Sequence, residues 1–492
     1  MMNRSPKLRS ARAQPVEAQR STQRPILFGT SGWRGSLGEE VTFERLRVLV
    51  RSVSDWICEQ GTGDRVLIGW DSRFASQRMA EITAGIVAEN DLEAVLSTTR
   101  TPTPAITHAL ARRRCAAGLV LTASHNPAPD HGLKVFAAGG GTISDAHARH
   151  IESIAADRMH DGGPSLSSAP CQREDFVTAY RRALEDQLDV DAMRRSGIEV
   201  IYDAMHGTGA GVLDTVLESA GATLQRLRME PDPNFGGTSP DPVAQNLTQL
   251  ALGVRGAGRL ALGLATDGDA DRFGVVDGTG RVLTETQVVA LLIDHLATAG
   301  RLCRGVAITN GIGSLVEKVA VDHGLSVERH PVGFKHLSRA IEAQRVDLAG
   351  EESGGFALAS MGSDKDGLLA GCLLANLVAK SGEPLEVHVE RLENRFGASA
   401  CGRTAIAGSP ALDRALEHLK AAPPEQLGRV RVETVENGPG LRIDLEDGGF
   451  LMLRRSGTEP LLRVYAEAGT AAALGERLSQ GIRLLERTAE GL

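Results

Sequence analysis

Asp267, Asp269 and Asp271 alternate in the stretch "ATDGDADRFGVVD". In an extended loop that spacing points the three carboxylates to one side. Converging carboxylates repel one another unless a cation sits among them, and hard oxygen ligands favour Mg²⁺ or Ca²⁺. An EF-hand is excluded, because its sixth loop position would be Arg272 and its twelfth Gly278. The flanking runs "LALGLA" and "FGVVD" are also apolar strands, not helices. A hairpin whose acids are merely solvated fits the spacing too.

Other stretches carry chemistry more ambiguously. "LVLTASHNPAPDHGLK" runs from an apolar strand into Ser124, His125, Asn126 and Pro127, with Lys134 a few residues on. It reads as a nucleophile with helpers or as turn chemistry. "GEESGG" offers Glu351, Glu352 and Ser353 as acceptors for vicinal hydroxyls, with glycines that allow close backbone approach. A plain polar turn would look the same. "SDKDGLLAG" places Lys365 just before an apolar helical run. In "LRRSGTEPLLRVYAE", Arg454, Arg463, Ser456, Thr458 and the Gly457 amide could form an anion nest. A surface hairpin with two arginines is the competing reading. Arg34 in "FGTSGWRGSLGEE" and Lys335 in "HPVGFKHLSRAI" are modest signals taken singly.

The elements that must position these residues recur. "RVLIGWDSRFAS", "IEVIYDAMHGTGAGVLDTVLESAG" and "GVAITNGIGSLVEKVAVDHG" each run from apolar strand through a short loop to a helical pattern. Continuously apolar strands are buried on both faces, so three α/β domains of similar build are expected. From about Ala400, short strands in succession precede a final helix, which predicts a small α+β unit with an antiparallel sheet. A chain of 492 residues is too long for one core, which agrees with several domains. The net charge of −8 argues against a general nucleic-acid binder. Six scattered cysteines without a metal-like spacing read as reduced thiols of a cytoplasmic protein, and no run reaches membrane-span length. Residues 1–24 hold six Lys/Arg against Glu17 alone, a composition expected of a disordered basic tail.

Taken together, "FGTSGWRG" (28–35), "TASHNP" (122–127), "DGDADR" (267–272), "GEESGG" (350–355) and "RRSGTEP" (454–460) make the chain resemble the α-D-phosphohexomutases, the phosphoglucomutases and phosphomannomutases. The five motifs stand in family order and cover nearly the whole chain. The resemblance implies an α/β protein of four domains around a central cleft: three similar mixed α/β sheet domains and a C-terminal TBP-like α+β domain. The expected boundaries are 25–172 with the phosphoserine loop, 173–284 with the metal loop, 285–397 with the sugar-binding loop and 398–492 with the phosphate-binding loop. It further implies that Ser124 is carried as a phosphoserine and that one Mg²⁺ per chain is held by Asp267, Asp269, Asp271 and a phosphoserine oxygen. Arg272 would sit beside that phosphate, and Arg34, His125, Lys134 and Lys365 would serve catalysis. Glu351 and Ser353 would read sugar hydroxyls. Lys335, Arg454, Ser456, Gly457, Thr458 and Arg463 would bind the substrate, the last five through its non-reacting phosphate.

The implied reaction interconverts glucose 1-phosphate and glucose 6-phosphate through a bound hexose 1,6-bisphosphate. Mannose or glucosamine phosphates are the alternative substrates, and a silent sugar-phosphate binder is the alternative of another class. The expected partner is thus a small hexose phosphate, with no nucleic acid or membrane, and the chain is expected to be a monomer or homodimer. Three departures stand out. His131-Gly132 replaces the usual Asn-Gly before the lysine, Gly355 stands where bifunctional members often carry histidine, and Arg454-Arg455 replaces Arg-Pro. The second leans the reading toward phosphoglucomutase and shifts proton-transfer weight to Lys365.

Overall fold

Buried apolar strands organise the first three quarters of the chain, and a computed structural model describes residues 24–159, 171–456 and 460–492. The strand Arg65–Trp70 lies parallel to Glu93–Ser97 on one side and to Ala117–Leu121 on the other. Ala117–Leu121 then turns and returns antiparallel as Asp130–Ala137. Trp33–Ser36 and Gln172–Glu174 close the two edges of this six-stranded sheet.

The next two sheets repeat that plan with four strands each. Glu199–Asp203 is parallel to Thr223–Leu227 and to Ala261–Thr266, which returns antiparallel as Phe273–Val276. Gly305–Thr309 is parallel to Ser326–His330 and Leu348–Glu351, which returns as Gly355–Leu358. The three strand–loop–helix runs of the sequence therefore supply the middle strand of each sheet. The Ser124, Asp267–Asp271 and Glu351–Ser353 segments lie at the antiparallel return beside it.

The last sheet differs, as expected. Its six strands are all antiparallel, in the order Ala400–Ala407, Leu461–Ala468, Phe450–Arg455, Gly440–Leu445, Val430–Asn437, Gln426–Leu427. Helices Pro410–Ala421 and Ala471–Glu490 complete a separate core with Leu419, Leu441, Leu453 and Leu485. The fold is thus three mixed α/β sheets followed by an antiparallel α+β unit.

The way these units join follows from composition. Helix Gly367–Ser381 is apolar on nearly every side, so it must be enclosed. Its Gly371 abuts Leu213 and Leu264 of the second unit, and Asp366 at its start accepts a hydrogen bond from Tyr180 at 2.5 Å. The fourth unit is instead joined to the third by polar bonds. Buried Glu467 accepts from the Ser314 amide at 2.8 Å and the Ser314 hydroxyl at 2.9 Å, and is steadied within its own unit by the Ser399 hydroxyl at 2.6 Å. Arg442 also donates to the Asn310 carbonyl. All six cysteines are free, and no described helix is long and apolar enough to cross a membrane.

Gly132, in the return strand that carries Lys134, faces Arg34 across the sheet. A Cβ there would lie 2.1 Å from the Trp33 carbonyl oxygen, which is backbone and cannot rotate away. Gly132→Ala is expected to cost about 1–3 kcal/mol, the usual range for overpacking. A lowered urea-unfolding midpoint would report it.

Candidate active site

At the end of the strand Ala117–Leu121 the chain turns, and Ser124 adopts a left-handed backbone with φ 55°. Such strain in a non-glycine residue persists only where its surroundings over-determine it. Here the Thr122 hydroxyl accepts from the Ser124 amide at 2.8 Å, and the Ser124 hydroxyl donates to Asp267 Oδ2 at 2.6 Å. His125 Nδ1 lies 3.4 Å from the Ser124 oxygen. Burial, with Arg272 and Arg34 nearby, pushes His125 well below the usual imidazole range, so the ring is neutral.

Asp267, Asp269 and Asp271 are almost wholly buried and each presents an oxygen within 4.8 Å of the others. Lys134 donates to Asp269 Oδ2 at 2.6 Å and to Asp271 Oδ2 at 2.5 Å. Thr103, from the start of a helix of the first unit, donates to Asp269 Oδ2 at 2.5 Å. Burial and the neighbouring Asp269 and Asp271 charges push Asp267 well above the carboxylate range. Burial would raise Asp271 as well, but Lys134, Lys365 and Arg272 outweigh it and hold that group ionised. Asp269 Oδ1 and Asp271 Oδ1 remain buried without a hydrogen-bond partner. Three hard carboxylates with two orphaned oxygens form a donor set that fits a divalent cation.

The Glu351–Ser353 turn reaches the same place. The Ser353 hydroxyl donates to Glu351 Oε1 at 2.5 Å, and burial raises the Glu351 carboxyl despite Lys365 beside it. Glu352 turns away and accepts from Thr309 at 2.5 Å. Lys365 lies 3.3 Å from Asp271 and 3.5 Å from Asp364, over the Phe334 ring at 5.2 Å. Burial opposes its charge, yet Asp271, Asp364 and Glu351 together raise its pKa and keep it cationic. The Arg272 amide donates to Asp267 Oδ1 at 3.0 Å within the acidic loop, and the Phe273 amide donates to the Gly354 carbonyl at 3.2 Å, which ties that loop to the Glu351–Ser353 turn. Arg34 donates to Asn126 Oδ1 at 3.3 Å, and burial lowers its pKa.

The structure therefore gathers Ser124, His125, Lys134, Arg34, Asp267, Asp269, Asp271, Arg272, Glu351, Ser353 and Lys365. Lys335 is directed elsewhere: it ion-pairs with Asp145 of the first unit. Arg454 donates to the Tyr465 hydroxyl at 3.4 Å and stands opposite Arg463, while the Ser456 amide donates to Leu461, all within the fourth unit. Gly457 and Thr458 lie outside the described residues, as do residues 1–23 of the basic tail. A cavity of about 430 Å³ adjoins the site between Glu352, Arg403, Tyr465 and Phe273, without reaching Ser124.

Two features escaped the sequence reading. Arg73 and Thr103 both touch the site, and neither lies in a recognisable catalytic stretch; for Arg73 the only cue was a charged "DSR" directly after a buried strand. The departure at His131 also finds its place. Its ring bonds Ser76 at 2.8 Å, and Ser76 donates to Asp71 at 2.6 Å, so it joins the strand to the neighbouring helix and not to the site.

Known proteins resemble the chain along more than nine tenths of its length. Models described as phosphoglucomutase/phosphomannomutase alpha/beta/alpha domains I, II and III match residues 25–161, 178–280 and 284–396, and the model of the C-terminal domain matches 412–483. A phosphoglucosamine mutase of Acidothermus cellulolyticus is 32% identical over 477 residues, covering 93% of this chain and 96% of that protein. A phosphoglucomutase/phosphomannomutase of Thermococcus kodakarensis is 26% identical over 469 residues, covering 94% and 99%. Among solved structures, a Thermus thermophilus protein assigned as a phosphomannomutase superposes with a TM-score of 0.83 at 30% identity, covering 94% of this chain and 100% of that one.

The carboxylate cluster predicts one tight divalent-ion site. Asp271→Asn removes a charge while keeping the shape, and Mn²⁺ binding followed by calorimetry should weaken by at least about tenfold, by analogy with the loss seen when a mere supporting partner of a metal ligand is removed. Unaltered affinity would place the ion elsewhere.

Proposed function

The chain belongs to the phosphoglucomutase/phosphomannomutase family, the α-D-phosphohexomutases, and from that premise we propose that it moves a phosphoryl group between C1 and C6 of a hexose phosphate through Ser124, with glucose 1-phosphate and glucose 6-phosphate the favoured pair. The observation that carries this reading is the Ser124 hydroxyl, strained and buried, 2.6 Å from the first carboxylate of the acidic cluster.

Phosphorylated Ser124 gives its phosphoryl group to the free hydroxyl of a bound hexose monophosphate. The hexose 1,6-bisphosphate so formed turns over within the cleft, and Ser124 takes back the other phosphate. A phosphoserine adds a charge of about −1.5 to −2. Beside three aspartates that charge demands compensation, which Lys134, Lys365 and Arg272 supply from the protein. Asp267, Asp269 and Asp271 would hold Mg²⁺, which when bound polarises the phosphoryl group and offsets its charge. Since phosphoryl transfer leaves little covalent work to the protein, positioning and electrostatic stabilisation dominate.

Lys365, cationic between Asp271, Asp364 and Glu351, supplies positive charge to the transferring group. A cationic lysine can give a proton but not take one. We therefore assign donation to Lys134 and Lys365 and acceptance to the neutral His125, with Arg34 holding the serine loop through Asn126. Glu351 and Ser353 read the sugar hydroxyls. Arg454, Ser456, Gly457, Thr458 and Arg463 would grip the distal phosphate, and Lys335 would join them on leaving Asp145. The polar joint of the fourth unit suits a part that must release and regrip a turning intermediate. Gly355 in place of histidine favours glucose. Glucosamine phosphates are the second reading, favoured by the Acidothermus cellulolyticus relative. Both place the enzyme on soluble sugar phosphates in the cytoplasm.

A panel of glucose, mannose and glucosamine 1-phosphates with Mg²⁺ and a trace of the matching bisphosphate should show turnover, fastest with glucose. Peptide mapping should find phosphate on Ser124. Ser124→Ala should lower kcat by about 10⁴-fold or more, the scale of losing a nucleophile. Full activity in that variant, or an unphosphorylated Ser124 with no turnover of any sugar, would end this reading.

A further inference from the structure

The phosphoserine loop is held by a residue that belongs to none of the loops carrying chemistry. Arg73 follows the strand Arg65–Trp70 and is only 3% exposed. Its Nη2 donates to the carbonyls of Ser124 at 2.7 Å and Asn126 at 2.6 Å, and its Nη1 to those of Pro127 and Asp130, both at 2.8 Å. Nε faces Asp71 Oδ2 at 3.2 Å. Four of the five N–H groups of the guanidinium are thus spent on the backbone of one loop, while Nε meets Asp71 by charge without a hydrogen bond. The other side of the guanidinium lies 4.9 Å from the centre of the Phe235 ring, in the second unit.

Phe235 in turn rests against Gly268 of the acidic loop. A Cβ on Gly268 would stand 3.5 Å from the Phe235 ring and only 2.7 Å from the Ser124 carbonyl oxygen, the very atom that Arg73 grips. Ser239 of the same unit donates to the His125 carbonyl. Loop, guanidinium, ring and acidic loop form one continuous stack across two units.

We propose that Arg73, backed by Phe235, is the positioning residue that fixes the Ser124 side chain toward Asp267 in both halves of the phosphoryl cycle. The assignment rests on the phosphoserine reading. The left-handed backbone at Ser124 is unfavourable on its own, and the gripped carbonyls add to the Thr122 and Asp267 bonds in holding it. Lysine keeps the charge at this position but offers three donors in place of five, in no fixed plane, so it cannot satisfy four diverging carbonyls. A loop free to relax would move the serine oxygen relative to the phosphoryl acceptor, and a displacement of about 1 Å can cost about 10²-fold in rate.

The test compares wild type, Arg73→Lys, Phe235→Leu and a control, Arg112→Lys, in the full chain. Arg112 also donates to backbone carbonyls, those of Ser360 and Met361, but on the seam between the first and third units. Each protein is phosphorylated with glucose 1,6-bisphosphate, the rate of phosphate uptake is followed by intact mass, and kcat, KM and Tm are measured. Arg73→Lys should lose about 10²-fold in kcat with KM within about threefold, and phosphate uptake should slow by a similar factor. Phe235→Leu should show the same pattern at about a tenth of normal kcat, and it decides the matter should Arg73→Lys not fold. Arg112→Lys should keep near-normal kcat whatever its Tm.

Normal kcat in Arg73→Lys, or in Phe235→Leu where only that protein folds, overturns the assignment. So does a loss borne by KM alone, or an equal kcat loss in Arg112→Lys. A wild type that takes up no phosphate and turns over no substrate brings down the mutase reading itself, and is recognised without any variant.

Discussion

Like-charge repulsion among three buried carboxylates is the constraint around which this molecule is arranged. Asp267, Asp269 and Asp271 sit where water cannot screen them, within 4.8 Å of one another. In such a place each charge must be matched nearby or neutralised. The chain answers from three directions. Lys134 comes from the first unit and Arg272 from the acidic loop itself, while Lys365 comes from the third unit. Removing any of the first three units would leave a buried charge unbalanced, so the cleft and the electrostatics define each other.

A single architectural device delivers these groups. In each of the first three sheets a parallel strand turns and comes back antiparallel, and the turn carries the chemistry: Ser124 in the first, the aspartates in the second, Glu351 and Ser353 in the third. A hairpin anchored on a sheet buried on both faces is stiffer than an open crossover loop. The turn residues therefore inherit the precision of the sheets. Backbone contacts between the turns, such as the Phe273 amide to the Gly354 carbonyl, then fix them against one another. The fourth unit stands outside this scheme. It keeps its own apolar core and touches the third through the hydrogen bonds of Glu467, Arg442 and Arg403 and a small apolar contact of Val332, a joint that water can enter more readily than a broad apolar seam.

Much of this was legible in the chain. Continuous apolar strands announced buried sheets, and the middle strand of each of the three repeats begins inside the run that predicted it. The alternation of Asp267, Asp269 and Asp271 predicted a convergent set, and the flanking apolar runs are the strands Ala261–Thr266 and Phe273–Val276. Lys134 and Lys365 were visible as lysines near chemistry but not in their settings, because Asp269 and Asp271, the aspartates they meet in the acidic loop, lie more than ninety residues away along the chain. Arg73 left little trace for a related reason: the four hydrogen bonds it makes go to backbone carbonyls, which leave no side-chain signature in the sequence.

By itself the sequence determined which side chains could do chemistry and the strand and helix pattern, since these follow from local spacing and periodicity, and its five motifs carried the resemblance to the family. Tertiary structure alone decided which candidates meet. It turned Lys335 toward Asp145, Glu352 toward Thr309 and His131 toward Ser76, and it set the charge of Lys365 and His125 through burial and neighbours. Pairing across a long chain depends on how whole sheets pack, and the ionisation of a buried group depends on every charge around it. Neither quantity exists until the chain is folded.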